Sequence, residues 1–246
     1  IKVQRKIILL ITVTLFGFVL GDTPNPMETI VKIFKMFNKM GGDPKVLWVS
    51  FIIFTLFSVI GSKLICSWGC QLGALQESIF NIPVFKKKYT LKIPFILSLM
   101  IRILIFVTFL ILLFGFATGI VYNVKRFVIY HHVNYFKIFY FQDLAGIAWY
   151  TLPIFASASL LIYRPFCHYI CPFGLYSWIL QNIALKKINI NESKCIKCDK
   201  CILACPTEAM NKIYENKNNY FLPDCWSCGL CIDACPVDAI KYKSKK

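Results

Sequence analysis

The sequence predicts a mainly α-helical protein in two parts: a four-helix transmembrane domain over 1–185, built as two duplicated two-span units, and a small α+β module over 186–246. Three observations predict it. Of the 246 residues, 57% are hydrophobic and only 16% charged, too apolar for an ordinary soluble domain. The apolar residues gather in long runs ahead of the C-terminal module. The 12 cysteines fall into two classes: two copies of a dense run near the C-terminus, and a wider-spaced repeat at the ends of two apolar runs.

Taken in order, the chain begins at Ile1, so its start reads as processed or truncated. Lys2, Arg5 and Lys6 precede an apolar run without a small-x-small cleavage site, which predicts an uncleaved first span over Ile7–Leu20 with its N-terminus inside. Turn residues over Gly21–Pro26 end it. From Met27 to Met40, apolar residues at helical spacing alternate with Lys32, Lys35 and Lys39, which predicts an interfacial amphipathic helix on the outer leaflet. Gly41-Gly42-Asp43-Pro44 breaks that helix. Span two, Val46 to Ile65, ends in Cys66-Ser-Trp-Gly-Cys70, and the polar loop beyond carries Lys86, Lys87, Lys88 and Lys92, a cytoplasmic signal.

Span three, Ile93 to Val121, contains Arg102. An arginine at membrane depth is costly, which makes it a candidate quinone contact; a few turns from the cytoplasmic end, it can equally snorkel to water. An aromatic outer loop, Asn123 to Asp143, holds His131 and His132, which could protonate near a quinone head group but read more simply as polar interface residues. Span four, Ala145 to Tyr163, ends in Arg164-Pro-Phe-Cys167-His-Tyr-Ile-Cys171-Pro172, and an amphipathic stretch, Phe173 to Leu185, leads into the module.

Four spans bring the N-terminus, the lysine loop, both membrane-end cysteine pairs and the C-terminal module to one face. That face is expected to be cytoplasmic, with the chain multi-pass in the cell inner membrane, because cysteine-rich runs of this kind need reduced thiols. The formal charge of +16 reads as a basic surface beside an anionic leaflet, not as a nucleic-acid face, since Lys and Arg mostly flank apolar runs.

The first dense run is Cys195-Ile-Lys-Cys198-Asp-Lys-Cys201-Ile-Leu-Ala-Cys205-Pro206, and the second is Cys225-Trp-Ser-Cys228-Gly-Leu-Cys231-Ile-Asp-Ala-Cys235-Pro236. Each reads C-x2-C-x2-C-x3-C-P, the bacterial ferredoxin spacing, in which the fourth cysteine serves the other cluster. Cluster I is therefore expected on Cys195, Cys198, Cys201 and Cys235, and cluster II on Cys225, Cys228, Cys231 and Cys205, both as [4Fe-4S] centres. Zinc sites more often show two cysteine pairs. Two such clusters would move electrons one at a time.

In the second class, Ser62-Lys-Leu-Ile-Cys66-Ser-Trp-Gly-Cys70-Gln-Leu-Gly73 aligns with Tyr163-Arg-Pro-Phe-Cys167-His-Tyr-Ile-Cys171-Pro-Phe-Gly174, a C-x3-C-x2-G repeat that suggests duplication. Cysteines four apart would share one helical face, with Cβ atoms roughly 5–6 Å apart. Two such ends side by side would converge four thiols. They read first as ligands of a metal or third iron–sulfur centre, then as a redox-active dithiol relay, with zinc also open. A module outside a hydrocarbon core of about 30 Å needs such a bridge to reach a donor within it.

With Gly73-Ala-Leu-Gln-Glu77 after the first motif and C-x3-C-P-x-G in the second, ahead of a dicluster run, the chain resembles the membrane ferredoxin-type proteins related to NapH, the C-terminal region of NosR and their polyferredoxin relatives. The resemblance runs from span one to Tyr242. It implies a quinol dehydrogenase-like membrane subunit in which Cys66, Cys70, Cys167 and Cys171 form the membrane redox motif. Gln71 stands where the family usually has Pro, which puts the local geometry of the first motif in question. The expected function is that of a membrane-bound iron–sulfur electron-transfer subunit of an oxidoreductase complex. It would relay electrons between cytoplasmic-side clusters and a membrane centre, the quinone pool or partner redox subunits. The alternative is a biogenesis factor that reduces a metal or thiol while another respiratory enzyme is assembled. No nucleic-acid partner is expected.

Overall fold

The computed structural model describes residues 2–20, 25–36, 43–82, 91–92, 94–117, 130, 145–215 and 224–244, and it is mostly helical. Helix α1 (Lys2–Ile11) runs on as a π-helical stretch, Thr12–Val19. Asn25 starts α2 (Pro26–Met36) by accepting from the Met27 N–H at 3.0 Å. Asp43 caps α3 (Pro44–Gly61), accepting from the Lys45 N–H at 3.1 Å, with Pro44 in the first turn where its missing N–H costs nothing. A π turn, Ile65–Gly69, leads to α4 (Gln71–Phe80). Then come α5 (Phe95–Ala117), α6 (Ala145–Leu161), α7 (Pro165–Tyr169) and α8 (Pro172–Gln181).

Among the described residues two helices are long and apolar enough to cross a membrane, over Pro44–Gly61 and Phe95–Phe114; α6 is apolar over the shorter Trp149–Leu161. Both long helices carry an exposed apolar stripe: Val46, Val49, Ile53, Leu56 and Ile60 on α3, and Ile96, Met100, Leu104, Val107 and Ile111 on α5. Spacings of three and four put each set on one helix face. Faces of this size are not left to water.

The duplicated units pack crosswise. Helix α4 of the first unit lies against α6 of the second, and α8 of the second lies against α3 of the first. Phe80 meets Tyr163 edge-on at 5.4 Å, Phe54 meets Phe173 at 6.0 Å, and Thr55 and Tyr176 share a hydrogen bond of 3.0 Å. The α2 helix departs from expectation. Its Met27, Ile30 and Val31 are buried and it packs against α3 and α8, so its apolar stripe meets protein, not an outer leaflet. A stripe that suits a membrane surface suits a groove between helices equally well, and periodicity does not separate the two. Met40, Lys86–Lys88, His131 and His132 lie outside the described residues.

In the C-terminal module β1 (Lys186–Ile190) pairs antiparallel with β2 (Ile240–Ser244), with Lys186 opposite Ser244 and Ile190 opposite Ile240. Helices α9 (Lys200–Ala204), α10 (Ala209–Glu215) and α11 (Leu230–Ala234) lie between, around a core of Met210, Cys231 and Ile240. The module is tied to the helical domain by Lys92 Nζ, which donates to Ile202 O at 3.1 Å, and by Phe95 N, which donates to Glu208 Oε2 at 3.3 Å; just ahead of it Leu185 N donates to Val59 O at 2.8 Å.

Candidate metal centres

The two dense runs turn in the same way. Lys197 and Asp199 in the first, and Ser227 and Gly229 in the second, take left-handed backbone conformations at equal offsets. One cavity is lined by Cys225, Cys228 and Cys231 together with Cys205 of the other run. A second is lined by Cys195, Cys198 and Cys201 together with Cys235. Each cavity thus gathers three thiols of one run and the fourth of the other. The sulfurs line walls and do not meet at a point, and no three Cys, His, Asp or Glu among the described residues are grouped tightly enough for a single metal ion. Burial pushes the Cys225 thiol up to about 12 and that of Cys228 to about 11, so metal binding must displace protons.

The two C-x3-C pairs do not share a helical face as their spacing suggests. Each straddles a break. Cys66 lies in the π turn and Cys70 precedes α4 in extended backbone (φ −89°, ψ 117°). Cys167 lies in α7 and Cys171 precedes α8 (φ −65°, ψ 117°). Gln71 begins α4 where Pro172 begins α8, so the first motif keeps the geometry of the second without a proline. All four cysteines are buried. Burial, and then the neighbouring Cys171 and Cys70, raise the Cys167 thiol against the downward pull of Arg164.

The two units serve each other reciprocally. Cys66 Sγ donates to Ser177 Oγ at 3.7 Å, while Gln76 Nε2 donates to Cys167 Sγ at 3.9 Å. Ser177 and Gln76 occupy equivalent repeat positions. The repeat glycines are fixed by close approach: a Cβ at Gly174 would stand 2.8 Å from the Cys167 carbonyl oxygen, and one at Gly73 would stand 3.1 Å from that of Cys66.

Around the quartet sit six buried charged side chains, Arg5, Lys63, Glu77, Arg102, Arg164 and Asp224. Glu77 accepts from Arg5 Nε and Nη2, both at 2.8 Å, from Arg164 Nη2 at 2.6 Å and from the Tyr163 hydroxyl at 2.6 Å. Burial pushes its carboxyl up, but Arg164, Arg5 and Tyr163 outweigh that and hold it at about 2. Asp224 accepts from Lys63 Nζ and, at 2.9 Å, from Arg102 Nη2. Lys63 and Arg102 likewise overcome burial and keep Asp224 well below the usual carboxylate range. Burial lowers His168 to about 3, leaving it neutral. Its Nε2 accepts from Trp226 Nε1 at 2.9 Å, which assigns the ring proton to Nδ1, 3.6 Å from Asp224.

Arg102 neither snorkels nor faces open space. It is 0% exposed and donates from Nε to the His168 carbonyl at 2.9 Å as well as to Asp224. Its third nitrogen, Nη1, is buried with no hydrogen-bond partner among the described residues. The pattern of apolar runs gives no hint that Arg5, Lys63, Arg164, Asp224 and Trp226 also belong to the site. The repeat alignment holds part of the signal, since it sets Lys63 opposite Arg164.

A 4Fe-4S dicluster domain matches residues 188–242, and a 4Fe-4S binding domain matches twice, over 46–92 and 144–191. The chain is 26% identical over 163 residues to the Escherichia coli protein named "Putative electron transport protein YccM", covering 63% of this chain and 44% of that one. It is 26% identical over 159 residues to "Uncharacterized protein MJ0750" of Methanocaldococcus jannaschii (64% of each chain), and 24% identical over 159 residues to "Uncharacterized protein MJ0749" of the same organism (64% of this chain, 56% of that one). The chain spans 44% to 64% of the length of these relatives. No solved structure matches. 4Fe-4S domains therefore extend over both cysteine classes.

Proposed function

We propose that the chain is a membrane relay subunit. Cluster I is held by Cys195, Cys198, Cys201 and Cys235, cluster II by Cys225, Cys228, Cys231 and Cys205, and a third centre by Cys66, Cys70, Cys167 and Cys171. When bound, the clusters supply one-electron carriers. The chain's own side chains bury the sulfurs, fix the spacing between centres and balance their charge. The helical domain is read as four spans (α1 with its π continuation, α3, α5 and α6), with both cysteine classes on the cytoplasmic side. The exposed stripes on α3 and α5 support this reading.

One observation carries the third centre. Four buried cations, Arg5, Lys63, Arg102 and Arg164, face two buried carboxylates, Glu77 and Asp224, so two positive charges are left over. Unpaired buried charge costs several kcal/mol per ion. Four neutral thiols, or two disulfides, add no negative charge to this group, whereas a four-thiolate [4Fe-4S] centre adds about −2 beside that of cluster II. This favours a bound centre over a dithiol relay. Electrons then pass between the module and the quinone pool or a partner redox subunit through this centre. The test is exchange between added quinol and the module's clusters in liposomes, followed by cluster absorbance. Serine at both Cys167 and Cys171 should stop the exchange while the module keeps its iron; exchange at the wild-type rate would reject the relay.

A further inference from the structure

The repeat alignment that pairs Gln76 with Ser177 pairs Glu77 with Trp178, so the second unit has no acid where the first has its buried carboxylate. The cations are nonetheless present on both sides. In the first unit, Arg5 of the preceding helix and Arg164 of the opposite unit's loop converge on Glu77. In the second, Arg102 of the preceding helix and Lys63, the repeat equivalent of Arg164, converge on Asp224, which belongs to the C-terminal module. The equivalence extends to the backbone. Arg5 Nη2 donates to the carbonyl of Ser67, the residue after the first motif's leading cysteine, and Arg102 Nε donates to that of His168, the residue after the second's.

The residues beside Asp224 continue the contact. Between Cys225 and Cys228 stand Trp226 and Ser227, and each is bonded to a different membrane motif. Trp226 Nε1 donates to His168 Nε2 at 2.9 Å, and Ser227 O accepts from Trp68 Nε1 at 3.2 Å. Trp226 is 3% exposed, with Lys63 Nζ 4.4 Å from its ring centroid. The equivalent residue of the first run, Ile196, is 61% exposed, and Cys198 is exposed.

We propose that Asp224, Trp226 and Ser227 form a docking key that seats cluster II, and not cluster I, against the membrane cysteine quartet, with Asp224 standing in for the acid that the second repeat unit lacks. The proposal rests on the reading of the eight C-terminal cysteines as two clusters and of the quartet as a third centre. Asp224 is a positioning residue. Its carboxylate holds Arg102 and Lys63, and these hold the His168 carbonyl and the Gly174 carbonyl of the second motif. The contact from Cys225 through Trp226 to His168, next to Cys167, crosses a single hydrogen bond. What crosses is one electron, lost by one centre and gained by the other; no covalent bond changes and both ring N–H protons stay in place.

Two readouts on the full chain test this. Hydrogen exchange over 62–70, 163–171 and 224–229 reports docking whether or not the quartet holds metal. Magnetic interaction between cluster II and the quartet's centre, read by EPR relaxation, reports the seating. Trp226→Phe keeps the ring in place and removes the N–H. It should raise exchange at 224–229 by about tenfold and weaken the interaction at unchanged iron content. Asp224→Asn should do both more strongly, and Asp224→Glu should restore much of the loss. Wild-type exchange in Trp226→Phe and Asp224→Asn overturns the key. A magnetic interaction abolished by Cys198→Ser but kept in Cys228→Ser overturns the assignment to cluster II. If the wild type carries iron only in the module, the third centre fails, and the exchange data still decide whether the key exists.

Discussion

Replacing Glu77 with Gln removes one charge and leaves the shape. Arg5 and Arg164, 3% and 0% exposed, then face each other across a neutral amide. The carboxyl is held at about 2 against an ordinary 4.5. A fall of that size is worth roughly 3 kcal/mol of folding stability. Loss of one partner from a buried pair costs about 3–5 kcal/mol in general, so the two routes agree. The sign follows from the depressed value: the contribution is complete above about pH 4.5 and is lost as the pH falls toward 2. The assay is denaturant unfolding in detergent, followed by tryptophan fluorescence, at a series of pH values. Wild type should weaken over that acid window, and Glu77→Gln should start roughly 3 kcal/mol lower at neutral pH and show less weakening there. A variant as stable as wild type at pH 7 would refute the pairing.

Other expectations concern the thiols and their neighbours. Gly174→Ala would bring a Cβ to 2.8 Å from the Cys167 carbonyl and should cost iron at the quartet while the module keeps its own, as an iron assay will show. Serine at Cys235 should remove cluster I and spare cluster II, whereas serine at Cys205 should do the reverse, each read from the EPR spectrum. Arg102→Met leaves Asp224 with Lys63 as its one cationic partner and should destabilise the docked module by about 3 kcal/mol or more in the same unfolding assay. A thermal melt should show Tyr176→Phe as mild, about 1 kcal/mol, because a single hydrogen bond to Thr55 is lost.

The sequence carries most of the chemistry and little of the packing. The crossed cysteine sets follow from spacing because a ligand run is local. Repeat matching places Cys66 against Cys167 for the same reason. What spacing does not carry is the third dimension. Cysteines four apart look like neighbours on one helix, yet Cys70 and Cys171 sit in extended backbone at a helix start. The apolar stripe of α2 looks like a membrane-surface helix and is instead packed on α3 and α8. Arg102 reads as an isolated cost because its partner lies more than a hundred residues away, in the module. Asp224 itself sits one residue ahead of a cysteine run and carries no local signal at all.

The proposed third redox centre would be shared by the two C-x3-C motifs. Iron and zinc content together with EPR on the intact, reduced chain test it most directly. With a third [4Fe-4S] centre the chain should hold about twelve irons and show three interacting cluster signals. About eight irons with two signals, or zinc in place of the remainder, would contradict it.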